Sequence, residues 1–119
     1  MFDNRDKLIE FVDSLSDEAR LSIAEIADQL GEKKNTVSGW LSDERNYPPS
    51  HRGARNQKFY DKNVITQLLL VYFANRQPGI TVQVNHAYDR ISRNGIGASL
   101  EALRSSSGDF FNVLQNQDA

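Results

Sequence analysis

The sequence has no cysteine and only two histidines among its 119 residues. The lack of cysteine excludes disulfide bonds and thiolate metal sites. Two histidines without nearby carboxylates at ligand spacing do not form a metal cluster, and no nucleophile stands beside a base. We therefore expect no metal, no cofactor and no enzymatic activity.

Long apolar stretches are also missing. No apolar run approaches the roughly 20 residues that a membrane helix requires. The beginning of the chain, MFDNRDKLIE, is charged where a signal peptide would be apolar. We expect a cytoplasmic protein without membrane contact, of the size of one domain with a short appendage.

An excess of charge of either sign is absent too, since the net charge is -2. This argues against a protein that coats nucleic acid without selectivity. The charges are unevenly distributed, however: residues 1–32 hold three cations and nine anions, whereas residues 33–62 hold seven cations and three anions. The middle segment is therefore the candidate surface for an anionic partner.

Apolar residues recur at helical spacing in the first third of the chain. Their pattern predicts helices over about 4–16 and 23–30. Ser22 and Glu25 form an S-x-x-E capping box at the start of the second helix, and Gly31 is placed to end it. A third helix is predicted over about 33–42, with an apolar stripe formed by Val37, Trp40 and Leu41.

The remaining segments alternate between turn signals and further helices. Residues 50–60 predict a hairpin with a turn at Gly53 and a returning strand at 58–60. Asp61 is placed to cap a helix over about 62–76, although its apolar run at 68–73 also suits a buried strand. Thr81 is the expected cap of a fifth helix that ends at Asn94-Gly95, with residues 80–84 alternating like a strand. Two short helices, about 98–104 and 109–115, complete the chain.

The second and third helices have the pattern of a helix-turn-helix. Ala27 is the small residue at the helix crossing, Gly31 lies four residues later at the turn, and Val37 and Trp40 are the inner anchors. A plain helical hairpin is the alternative. The outward face of the third helix favours DNA, because lysines can meet phosphate or guanine and asparagine can pair with adenine. Its residues are Lys33, Lys34, Asn35, Thr36 and Ser38.

Three further motifs accompany this pattern. Gly53-Ala54-Arg55 followed by Phe59-Tyr60 is similar to a wing, Asn63-Val64 followed by Leu68 to the start of the next helix, and residues 77–81 to the turn into another. Residues 20–92 thus resemble the winged-helix DNA-binding domain of the MerR superfamily. The expected fold is mainly α: a winged helix-turn-helix domain over 1–95 with a small β-hairpin wing, followed by a C-terminal helical tail over 96–119.

The resemblance implies that the third helix enters the major groove of double-stranded DNA. The wing residues Arg52 and Arg55 would reach the backbone or minor groove, and Lys58, Tyr60 and Lys62 would hold phosphates. Tyr60 is equally compatible with the core. The corresponding function is a small transcriptional regulator. The alternatives are an origin-binding or partition protein of a phage or plasmid-like element, and a protein-interaction module.

A homodimer is expected, because one recognition helix and wing cover only about half of a typical operator. No small-molecule effector is evident. The tail carries five apolar residues that would either form the dimer surface or fold back on their own domain: Leu100, Leu103, Phe110, Phe111 and Leu114.

Overall fold

The computed structural model describes residues 4–77 and 82–115. These residues form a mainly helical fold with one small antiparallel sheet, which confirms the predicted class at that level. The helices are α1 (Arg5–Ser14), α2 (Ile23–Leu30), α3 (Lys34–Trp40), α4 (Lys62–Asn75), α5 (Val84–Asn94), α6 (Ile96–Ser105) and α7 (Ser107–Gln115). The strands are β1 (Arg20–Ser22), β2 (His51–Arg52) and β3 (Lys58–Asp61).

Helix α2 begins and ends where its local sequence predicts. The Ser22 hydroxyl accepts a hydrogen bond from the Glu25 N–H, and the Glu25 carboxylate accepts one from the Ser22 N–H, so the capping box is complete. Gly31 has φ 68° and ψ 29°, the left-handed conformation that glycine adopts at low cost. Its turn leads directly into α3.

Helix α3 packs through the predicted apolar stripe. Val37 and Leu41 are buried, with 0% and 2% of their surfaces exposed. Trp40 is half-buried and stacks on Tyr72 of α4, with 4.3 Å between the ring centroids. Anchoring on this side leaves the opposite side of α3 facing solvent.

The predicted hairpin is present. Arg52 pairs with Lys58 in the β2–β3 ladder, and the chain reverses through a 3-10 turn at Ala54–Asn56. Gly53 begins the reversal, as predicted, and its N–H donates to the Gln57 carbonyl at 2.7 Å, while the residues with positive φ are Arg55 and Asn56. A Cβ added to Gly53 would lie 2.9 Å from the Phe59 ring, so a larger residue would force that ring to shift.

Strand β1 was not predicted from the sequence. It pairs with β3, so that the sheet order is β1-β3-β2. Leu21 lies opposite Tyr60 and Ser22 opposite Phe59. Because Ser22 also caps α2, the ladder ties the hairpin to the start of that helix.

Helix α4 is the centre of the core, and the strand alternative for its apolar run is wrong. A helix that is apolar on nearly all sides must be surrounded by other elements. Its neighbours include α1, α5, α6 and β3. The residues of α4 with at most 1% exposure are Ile65, Leu68, Leu69, Leu70, Val71, Phe73 and Ala74.

Helix α5 starts after Gln83, which has the extended backbone of an N-cap residue. The predicted cap at Thr81 lies outside the described residues. Val82 and Gln83 are not in a strand. Among the described residues, none of the helices combines the length and the apolar character needed to cross a membrane.

The tail folds back on the rest of the chain, which was one of its two predicted arrangements. Leu103, Phe110 and Leu114 have no exposed surface, Phe111 is 8% exposed, and Leu100 is half-buried against the same core. The Arg5 guanidinium donates to the carbonyl of Leu103 at 3.0 Å, which ties α1 to α6. Because these apolar side chains are buried within the chain, they do not form an exposed surface for a second copy.

Candidate nucleic-acid interface

The outward face of α3 carries polar and cationic side chains. Lys33, Lys34, Asn35 and Ser38 are exposed, as predicted, and Thr36 is half-buried. Their exposure follows from the burial of Val37, which fixes the rotation of the short helix. The face therefore presents ammonium, amide and hydroxyl groups to solvent.

The face of α3 adjoins the hairpin at a cleft of about 230 Å³. Lys34 lines it from α3, and Lys58 lines it from β3. The start of α2 and the tip of the hairpin form the rest of its wall. The full set of lining residues is Ser22, Ile23, Ala24, Lys34, Asn56, Gln57 and Lys58. Two cationic segments that are separate in the sequence thus meet at one place on the surface.

Glu44, in the loop after α3, pairs with two hairpin cations. Its Oε2 lies 2.5 Å from the Lys58 Nζ, and its Oε1 accepts a hydrogen bond of 2.9 Å from the Arg52 guanidinium. These contacts, with the Lys58 bond as the larger cause, hold the pKa of Glu44 below its usual value. Sequence reasoning missed this role, because Glu44 was only counted as one of the three acids of residues 33–62.

Three other cations of residues 33–62 are not neutralised by an acid among the described residues. Lys33, Lys34 and Arg55 are exposed, and they form no ion pair within residues 4–77 and 82–115. Arg55 lies at the hairpin tip with φ 58°, in the left-handed region. The uncompensated positive charge of this surface therefore comes from the start of α3 and the tip of the hairpin.

Tyr60 is not at the interface that the sequence predicted for it, and Lys62 has partners within the chain. Tyr60 has no exposed surface, because it faces the core beneath the sheet, so it cannot hold a phosphate. Burial raises the pKa of its hydroxyl. The Lys62 ammonium donates to the Leu15 carbonyl at 3.0 Å and lies 3.9 Å from Asp17, so its charge is engaged within the chain.

A second cavity, of about 380 Å³, lies between α4, α5 and the loop after α3, and sequence reasoning did not find it. Its wall is uncharged and includes the Gln67 amide, which donates to the Tyr88 carbonyl at 3.3 Å and to the Ser92 hydroxyl at 3.1 Å. Its lining residues are Asn46, Asn63, Val64, Gln67, Tyr88, Ser92 and Ile96. The described part of the chain contains no group of three or more His, Asp or Glu side chains that could hold a metal ion.

The arrangement has the chemical groups that an anionic partner would require. It combines unpaired cations, amide and hydroxyl groups on a helix with a cationic hairpin beside it. Comparison of the chain with protein-family models, with curated proteins and with solved structures gave no significant match.

Proposed function

We propose that the protein binds double-stranded DNA through α3 and the β2–β3 hairpin, acting as the recognition helix and wing of a winged helix-turn-helix. The observation that carries this proposal is the shared cleft, in which Lys34 of α3 and Lys58 of the hairpin lie on one surface. The resemblance of residues 20–92 to the MerR superfamily is part of the same proposal.

The charge distribution supports a polyanion as partner. Lys33, Lys34 and Arg55 have no described ion-pair partner, while residues 1–32 have a large excess of acids. An anionic duplex would be attracted to these three cations. Each phosphate neutralised by a cation would add about 0.9 to the slope of log affinity against log salt.

The dimensions of α3 suit the major groove. An α-helix such as α3 is about 10–12 Å in diameter with its side chains. The major groove is about 12 Å wide and presents a distinct pattern of donors and acceptors for each base pair. Asn35 and Ser38 would face the bases, with Lys33 and Lys34 at bases or nearby phosphates.

Transcriptional regulation is the role we propose for this binding, and catalysis is not part of it. Origin binding or partition would use the same surface, so only the genomic position of the bound site separates these roles. We also propose a homodimer on a two-fold site. Its contact surface would have to differ from the buried apolar face of the tail.

The test begins with selection from a random duplex pool at near-physiological salt. Affinity for the selected site is then measured by fluorescence anisotropy across a salt series. Lys34→Ala and Arg55→Ala should each lower the salt slope by about 0.9. Lys7→Ala is the matched control, because Lys7 is an exposed lysine on α1, away from the cleft lining.

Equal binding by Lys34→Ala and Lys7→Ala would remove α3 from the interface. If no sequence is enriched from the duplex pool, and the wild-type chain binds no duplex at low salt, the result would favour a protein-interaction module instead.

A further inference from the structure

The two hairpin cations that contact Glu44 are opposite each other in the β-ladder. Arg52 and Lys58 are register partners on β2 and β3. Like charges in directly opposed positions repel, which destabilises a two-stranded ladder. The Glu44 carboxylate relieves this repulsion by presenting one oxygen to each cation. The three side chains form what we call the Glu44 fork.

We propose that the Arg52–Lys58 pair is a phosphodiester-binding site of the DNA interface and that Glu44 is its internal competitor. A phosphodiester resembles a carboxylate in offering two negatively charged oxygens on one atom, and it would take the same two donors. This inference rests on the proposed function, because the phosphate would come from the duplex bound at α3 and the hairpin.

The exposure of the fork permits this exchange. The side chains of Arg52, Glu44 and Lys58 are 47%, 40% and 32% exposed. Ion pairs at such exposure are weak, because water solvates each partner after separation. A duplex phosphate can therefore displace the carboxylate at a small free-energy cost. That cost is subtracted from the binding free energy that the phosphate contact contributes.

The competitor affects every duplex alike, because phosphates carry no sequence information. In the free protein the Glu44 fork has a net charge of +1, because one carboxylate faces two cations; without the carboxylate the net charge would be +2. Glu44 thus lowers affinity for DNA of any sequence, while base contacts from α3 are unchanged. Because this loss is the same for every sequence, Glu44 leaves the ratio of specific to unspecific affinity unchanged.

The experiment compares Glu44→Gln with Asp43→Asn in the full chain on a 20-base-pair duplex of random sequence. Asp43 is the neighbouring acid, and its carboxylate pairs with Arg45, outside the fork. Both variants remove one negative charge, and asparagine at 43 retains an acceptor for the Arg45 N–H. Thermal unfolding followed by circular dichroism is the control for folding, and each variant should melt close to the wild-type temperature.

Glu44→Gln should steepen the salt slope by about 0.9. Between 1 M and 0.1 M salt, the affinity of this variant should therefore rise by roughly eightfold more than the affinity of the wild type. Asp43→Asn should leave the slope unchanged. The gain should disappear in the double variant Glu44→Gln/Lys58→Ala.

If Glu44→Gln and Asp43→Asn have equal salt slopes and the wild type binds the duplex, the proposal that Glu44 competes with phosphate is overturned. The proposed function then still stands. Weaker binding by Glu44→Gln would also overturn it, because the carboxylate would then position the cations for phosphate. Failure of the wild type and Glu44→Gln to bind any duplex would overturn both proposals.

Discussion

Replacement of Tyr60 by phenylalanine should not destabilise the protein, although it removes a buried hydroxyl. Tyr60 has no exposed surface, and its hydroxyl has no hydrogen-bond partner among the described residues. A buried polar group left unpaired costs about 1–3 kcal/mol. Because phenylalanine keeps the ring and its packing, Tyr60→Phe should change the free energy of unfolding by between zero and about +1 kcal/mol.

Urea unfolding followed by circular dichroism measures this change. A stabilisation of about 1 kcal/mol would raise the melting temperature by roughly 4 °C in a domain of this size. Tyr88→Phe is the matched control, because the Tyr88 hydroxyl donates to the Asn46 carbonyl at 2.9 Å. Loss of that bond should destabilise the chain by about 1 kcal/mol.

The same variant decides between the two sequence-based interpretations of Tyr60. The salt slope of duplex binding should be equal for Tyr60→Phe and the wild type, since a side chain inside the core touches no phosphate. A slope lower by about 0.9 would mean that the hydroxyl reaches DNA, and destabilisation beyond about 1 kcal/mol would mean that it is hydrogen-bonded. Either result would refute the reasoning from burial.

Two further substitutions test the surface of α3 and the attachment of the tail. A Cβ added to Gly39 would meet nothing within 4 Å, so Gly39→Ala should stabilise the chain in urea by about 0.5–1 kcal/mol. It should weaken duplex binding, since Gly39 follows Asn35 by one helical turn; unchanged or tighter binding would contradict a close approach of DNA to this backbone. Asp13→Asn should cost about 0.5 kcal/mol at pH 7, because hydrogen bonding from Arg104 lowers the pKa of the half-exposed Asp13 below its usual value. That contribution is complete above the unfolded pKa and is lost as the pH falls through the lower folded pKa, so the urea midpoints of wild type and Asp13→Asn should converge in acid; a constant difference down to pH 2 would assign the effect to another cause.

The features that the sequence predicted well are those specified by neighbouring residues. The capping box of Ser22 and Glu25 and the left-handed Gly31 lie within one helical turn of the ends they determine. The mostly helical character of 62–75 was also predictable from spacing. The same spacing left a buried strand open for the apolar run at 68–73. The helix can be apolar on nearly all sides because other elements surround α4, and those elements come from other parts of the chain.

The features that were missed depend on residues distant in the chain. Strand β1 has three residues and exists because β3 offers it a partner some forty positions later. The pairing of Glu44 with Arg52 and Lys58 required the loop after α3 to return beside the hairpin. The burial of Tyr60 follows from the register of β3, because a shift of one residue would reverse the faces of the strand.

The attachment of the hairpin determines which of its cations could be positioned accurately. Strand β3 lies between β1 and β2, and Asp61 at its end caps α4 through the Val64 N–H at 3.0 Å. Lys58 is therefore held by a ladder on one side and by the core helix at the end of its strand. Arg55 lies beyond the ladder, at the exposed tip. Because ordering a side chain on binding costs conformational entropy, Lys58 would contribute to the register of the protein on DNA, whereas Arg55 would contribute mainly attraction.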